Sequence, residues 1–156
     1  MKPDSTIKEQ SLRPEAARAT AKTITKAEEP VVLDDRILTA LHAASDKKAH
    51  EMVVLDLREV ATFTDYFVIT SGTNERQVQA ISDEVFERLK KNGTPAARVE
   101  GRQTAEWILL DYGDFIVHVF DDKARKFYDL ERLWRESKRL DLPPEFAAVG
   151  NSSLRT

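Results

Sequence analysis

Apolar and polar positions along the chain alternate between two periods. Ile37, Leu38, Leu41 and Ala44 recur at helical spacing behind Asp34 or Asp35, either of which can cap the first free amides, and Lys47 and Lys48 suit the far end. Met52 to Leu57 then reads as a strand interrupted by Asp56, and Tyr66 to Thr70 as a second, with Arg58 to Asp65 between them. Ser71-Gly72-Thr73-Asn74 turns strand into helix: Thr73 or Asn74 caps it and Glu75 complements its dipole. Val78, Ile81, Val85 and Leu89 form its buried stripe, widened by Phe86. Lys90 and Lys91 occupy the last turn, Gly93 supplies a left-handed cap and Pro95 blocks continuation.

The chain is organised around the stretch from Val99 to Trp134, and above all around Glu106 to Asp111 and Phe115 to Phe120. Branched and aromatic residues on both sides of Asp111-Tyr112-Gly113-Asp114 predict a β-hairpin. Two registers fit. A two-residue loop at Tyr112 and Gly113 sets Trp107 opposite His118 and Leu109 opposite Ile116; a three-residue loop with a bulge slips the pairing by one and puts Trp107 with Phe115 and Val117. Either leaves both hairpin faces apolar, whereas a sheet with one wet face alternates. Helices can cover one face; the other is either a second packed layer or an exposed patch that docks a protein.

After the hairpin, Asp121 to Lys126 reads as a charged connection. Phe127, Leu130 and Trp134 then share helical spacing, with Trp134 directed at the core and Glu131 paired with Arg135. Residues 1–30 hold only Ile7, Leu12 and Ile24 as aliphatics and are expected to form a disordered arm, with helical tendency across Glu15 to Lys26. The five acidic residues there speak against an organellar transit peptide. The expected division is an arm at 1–30, one domain at 31–142 and a flexible tail at 143–156.

Composition narrows the function classes. A chain of 156 residues with 41% apolar side chains supports one domain with a sizeable core. Without cysteine it forms no disulfide, thiolate metal site or cysteine nucleophile. No apolar run reaches the roughly 20 residues that span a bilayer, and there is no apolar signal core, so a cytoplasmic protein without membrane attachment is expected. Residues 1–30 carry six basic and five acidic side chains, which leaves −4 of the net −3 on the rest. That balance argues against direct, sequence-specific nucleic-acid binding, because phosphate contacts demand a basic face.

Candidate chemistry is sparse. His42, His50 and His118 share no metal-ligand spacing, and Ser71, Ser82 and Ser137 lack a nucleophile elbow. Asp111, Asp114, Asp121 and Asp122 are the best paired carboxylates, but turn chemistry and solvated loop charge account for them. The Ser71 to Asn74 turn is a possible anion cradle with one glycine and no Walker lysine, so an ordinary capped turn explains it more simply.

Several blocks nonetheless occur in a recognisable order and spacing. They are Thr64-Asp65-Tyr66-Phe67-Val68-Ile69, Ser71-Gly72-Thr73 with Arg76-Gln77-Val78, Val99-Glu100-Gly101, Glu106-Trp107 leading to Leu110-Asp111-Tyr112-Gly113-Asp114, Val117-His118-Val119-Phe120, and Tyr128-Asp129-Leu130-Glu131-Arg132-Leu133-Trp134. From about Leu33 to Trp134 the chain resembles the ribosomal silencing factor family, also called Iojap-like; residues before Val31 fall outside the family's common pattern.

The resemblance implies an α/β (α+β) single domain, a mixed β-sheet covered by helices with nucleotidyltransferase-like topology. The catalytic carboxylate pair is missing, since Leu109-Leu110-Asp111 offers one acid where two would alternate. It further implies a non-enzymatic protein without cofactor or metal. Such a protein binds the large ribosomal subunit through the ribosomal protein called L-fourteen, blocks subunit joining, represses translation when nutrients are scarce, and forms a homodimer off the ribosome. Carried over by motif, Trp107 and Tyr112 are the first choices for partner contacts, with Asp111, Asp114 and Phe120 behind them. A large-subunit assembly factor and a nucleotidyltransferase-like enzyme are the alternatives.

Overall fold

Two long helices begin where short polar side chains satisfy free amides. In the computed structural model, which describes residues 6–15 and 33–146, Asp34 accepts from the Arg36 amide at 2.7 Å and opens a helix over Asp35–Asp46. Asn74 accepts from the Gln77 amide at 2.8 Å and opens another over Glu75–Lys91. In chain order the helices are α1 (Ile7–Ser11), α2 (Asp35–Asp46), α3 (Glu75–Lys91), α4 (Asp122–Tyr128) and α5 (Leu130–Leu133). The strands are β1 (His50–Asp56), β2 (Tyr66–Gly72), β3 (Arg98–Glu100), β4 (Trp107–Asp111), β5 (Phe115–Asp121) and β6 (Lys138–Arg139).

All six strands form one mixed sheet in the order β3-β4-β5-β2-β1-β6. β2 and β5 run parallel at its centre and every other pair is antiparallel. A parallel neighbour requires a crossover, and α3 supplies it between β2 and the β3–β4–β5 meander. One face packs Val54, Val68, Ile108, Val117 and Val119 under α2 and α3, whose Ile37, Leu41, Val78, Ile81, Val85 and Leu89 point inward. The other face packs Leu55, Phe67, Ile69, Leu109, Ile116 and Phe120 under Ala124, Leu130 and Trp134. Both faces of the hairpin are therefore covered, and the second packed layer is what the chain builds.

The hairpin closes in neither expected register. Trp107 pairs with Phe120, Leu109 with His118 and Asp111 with Ile116, so the two loop residues are Gly113 and Asp114 rather than Tyr112 and Gly113. Asp114 donates its amide to Tyr112 O at 3.0 Å around Gly113, whose φ of +84° makes this tight reversal possible. Because the displacement is two residues, the faces are those of the first register: Trp107 lies on the side of His118.

Five other expectations change. Asp121 to Lys126 is helix, not connection: Asp121 accepts from the Ala124 amide at 2.7 Å, and the Ala, Arg and Lys that follow favour continuation. Asp129 then enters the left-handed region at φ +49° and splits the segment, so Phe127 is 79% exposed while Leu130 and Trp134 turn inward. Glu131 consequently pairs with Arg125 at 2.8 Å instead of Arg135. The chain beyond Leu140 does not fray at once, since Phe146 is buried in the first core with its ring 4.8 Å from that of His42. The arm expected at 1–30 is ordered in part: Thr6 caps α1, Ser11 is buried, and Ile7 and Leu12 pack on the second face. The helical tendency expected across Glu15 to Lys26 lies, beyond Glu15, outside the described residues.

α3 ends as its sequence requires. Gly93 sits at φ +93°, its amide donates to Lys90 O at 3.0 Å, and the Thr94 amide donates to Leu89 O at 2.8 Å, the paired bonds of a Schellman cap. No atom lies within 4 Å of where a Cβ would stand, so backbone conformation alone selects glycine. Gly93→Val is expected to destabilise the domain by roughly 1 kcal/mol or more, read as a lowered denaturant midpoint at unchanged slope.

Candidate docking surface

The five residues expected to meet a partner are divided between the ends of the hairpin. Trp107 is only 3% exposed, beneath Tyr128 at 4.7 Å between ring centroids and beside Phe120 at 5.0 Å, and Phe120 is wholly buried. Burial takes both off the surface and makes them core residues of the second layer. Tyr112, at the far end and on the opposite face, stacks on Phe115 at 4.9 Å. Its hydroxyl is buried without a hydrogen-bond partner among the described residues, and burial pushes the phenol pKa up. Asp111 accepts from the Gly113 amide at 2.9 Å, and Asp114 accepts from Arg36 Nη2 at 3.0 Å. Of the five, Asp111, Tyr112 and Asp114 cluster at the turn.

His118 carries the polar interior of the second face. Trp107 Nε1 donates to its Nδ1 at 3.1 Å, which fixes the neutral tautomer with the proton on Nε2. Nε2 has no partner among the described residues. Burial drives its pKa down to about 3, helped by the charges of Lys8 and Arg125.

A second polar element holds α4 in place. The buried Arg125 donates from Nη1 to Ser71 Oγ at 2.6 Å, from Nη2 to Glu51 O at 2.8 Å, and through Nε and Nη2 to the Glu131 carboxylate. Glu51 is the irregular point of β1, at φ +54° where the register shifts between His50 and Val53. One guanidinium thus ties a strand irregularity, the end of β2 and the start of α5 together. The Ser71–Asn74 turn is closed by its own side chains: the Thr73 amide donates to Gln77 Oε1 at 2.7 Å, and Gln77 Nε2 donates to Lys47 O and Lys48 O. Of the amides at this helix start, those of Thr73 and Gln77 are already engaged.

At the carboxyl ends of β2 and β5 lies an open groove of about 800 Å³, lined by Glu75, Glu106, Asp121, Asp122, Lys123 and Phe127 among others. Asp121 caps α4 and Asp122 holds His50 Nε2 at 2.7 Å. Phe127 on its rim is the only large apolar side chain exposed among the described residues. Sequence spacing missed it because Phe127 and Leu130 suggest one helical face, and only the left-handed Asp129 separates them. Among the described residues, no group of three His, Asp or Glu is placed to hold a metal ion, and no helix is long and apolar enough to cross a membrane.

These features define a single mixed α/β domain, a six-stranded sheet with helices on both faces and an acidic groove edged by one exposed aromatic ring. The chain matches the family described as ribosomal silencing factor during starvation over residues 30–154. It is 39% identical over 103 residues to the ribosomal silencing factor RsfS of Halalkalibacterium halodurans, across 66% of this chain and 88% of that protein. A crystal structure of a protein from Chromobacterium violaceum superposes with a TM-score of 0.64 at 30% identity, covering 75% of this chain and 93% of that one. A mouse protein named mitochondrial assembly of ribosomal large subunit protein 1 is 31% identical over 91 residues, which is 56% of this chain and 40% of that protein. The chain belongs to the ribosomal silencing factor family.

Two measurements check the interior. Trp107→Ala is expected to cost about 3–5 kcal/mol of stability through the cavity it leaves, seen as a lowered unfolding midpoint. The unfolded chain protonates His118 near pH 6.5 whereas the folded chain resists until about pH 3, so stability is full above pH 6.5 and falls as the pH drops through that window. The contribution approaches about 1.4 kcal/mol per pH unit and is absent from His118→Asn, whose urea midpoint is expected to vary less between pH 7 and pH 4.

Proposed function

We propose that the chain is a steric repressor of translation: it binds the large ribosomal subunit through the ribosomal protein L-fourteen and prevents the small subunit from joining when nutrients are scarce. The observation that carries this reading is the family match across residues 30–154, together with relatives named for ribosomal silencing. It acts by occupancy, with no turnover and no cofactor, in the cytoplasm, and pairs with a second copy when off the ribosome. Phe127 and the acidic groove suit a partner that is itself protein. A protein seated on rRNA carries excess Lys and Arg, which Glu75 and Glu106 complement, and an exposed aromatic ring is the usual anchor of such contacts. The hairpin turn, with Asp111, Tyr112 and Asp114, is the second docking surface, supported by the family motif and lying at the opposite end of β4 and β5.

The mouse relative's name favours a second reading, in which the same docking serves assembly of the large subunit. Sucrose-gradient profiles separate the two. Repression is expected to leave separated subunits when the protein is added to ribosomes, whereas an assembly role leaves that profile unchanged and yields abnormal large-subunit precursors when the protein is absent.

Phe127→Ala is expected to leave the unfolding midpoint nearly unchanged, because the ring is 79% exposed and its only ring contact among the described residues is edge-to-face with Tyr128, and to weaken large-subunit co-sedimentation by about 1–2 kcal/mol or more. Asp114→Ala tests the turn in the same assay. Loss there with none at Phe127 moves the docking surface to the other end of the hairpin.

A further inference from the structure

α1 lies outside the region that matches the family, yet it covers the middle of the second face. Its contacts are specific. Ser11 O accepts from Trp134 Nε1 at 2.6 Å, the Ile7 amide donates to Glu100 Oε2 at 3.3 Å, and Lys8 Nζ stands 4.6 Å above the Trp107 ring. Ile7 and Leu12 add their aliphatic chains to the core beside Phe63, Tyr128 and Leu133. A helix of five residues has no stability of its own in water, so its order comes from the surface beneath it.

That surface holds the segment on unfavourable terms as well as favourable ones. Among the described residues Gln10 Oε1 is buried without a partner, and so is Nε2 of His118, the ring bonded to Trp107. Burial lowers the pKa of Lys8, against the opposing pull of Glu100 and Glu106, so the cation is partly desolvated by docking. Two orphaned polar groups and one desolvated ammonium offset much of what two aliphatic side chains and two backbone bonds contribute.

We propose that the second face of the sheet carries a peptide-binding groove floored by Trp107 and Trp134, and that residues 6–15 of the same chain occupy it as a tethered, releasable ligand. Residues 16–32 connect ligand to domain, so docking is intramolecular and a weak contact suffices to keep the groove filled. The groove recognises a one-turn helix with an aliphatic residue, a lysine immediately after it and a second aliphatic five positions from the first. A carbonyl aimed at the Trp134 indole completes the pattern. When the segment leaves, the Trp107 face under Lys8 and the Trp134 indole N–H are uncovered, while the six-stranded sheet and the other helices remain.

The two indoles make the test internal. Trp134 Nε1 is held by the segment, whereas Trp107 Nε1 is held by His118. In full-length Leu12→Asp, hydrogen exchange at the Trp134 indole is expected to accelerate about tenfold or more while the Trp107 indole and the sheet amides stay protected. Tryptophan emission is expected to move to longer wavelength in the same variant and in a chain lacking residues 1–15. A synthetic peptide of residues 1–15 added to that shortened chain should restore the original emission saturably, and the same peptide with Lys8→Glu and Leu12→Asp should not. Equal acceleration at both indoles and throughout the sheet would show the segment to be integral core and overturn the proposal. Protection of Trp134 that falls on dilution of the full chain would place the segment on a second copy and overturn docking in cis. Unchanged exchange in Leu12→Asp would sink it as well.

Discussion

The architecture follows from a sheet that is apolar on both sides. β2 and β5 lie parallel at its centre, and the strands around them carry Val, Ile, Leu, Phe and Trp on each face. A ladder of this kind cannot leave one side in water, so two layers of cover are obligatory. The first layer is made of two long helices with full apolar stripes. Most of the helical residues among those described are used there, and the second layer must be assembled from pieces: a seven-residue helix, a four-residue helix and a five-residue helix from beyond the family region. The two faces therefore differ in kind, one closed by long regular elements and the other by short ones pinned by polar bonds.

Short helices bury little apolar surface, and the second layer compensates with directional contacts: Arg125 to Ser71, Glu51 and Glu131, Trp134 to Ser11, Trp107 to His118. A buried network of this sort fixes geometry when it is satisfied and is vulnerable when one member is removed. It also explains why the most aromatic part of the chain is interior, although aromatic residues on a hairpin resemble an interface when read as sequence.

Most of the first layer was legible in the residues, because α2 and α3 are long and amphipathic, capped at their starts by Asp34 and Asn74, and α3 is ended by Gly93. The hairpin was legible as an element but not in register. A two-residue shift keeps every side chain on its face, so patterning cannot distinguish the pairings, and the loop chemistry of Gly113 decides. β3 and β6, with three and two residues, are too short to show alternation. α1 was missed because two aliphatics in a polar segment do not announce a core contact, and the indole that holds Ser11 lies 123 positions away. The candidate surface suffered most: Trp107 and Phe120 carry the right residue types but lie under α4, and Phe127 is exposed only because Asp129 interrupts the helix after it.

That interruption has an evolutionary reading. Without it, the run from Asp122 to Trp134 would follow one helical phase, and a change at Phe127 would be felt by the packing of Leu130 and Trp134. The left-handed Asp129 separates Leu130 and Trp134, which face the interior, from Phe127, which faces the groove we propose as a docking surface. Phe127 can therefore change without disturbing Leu130 and Trp134, so a domain of constant architecture can vary the rim of its proposed docking groove one side chain at a time.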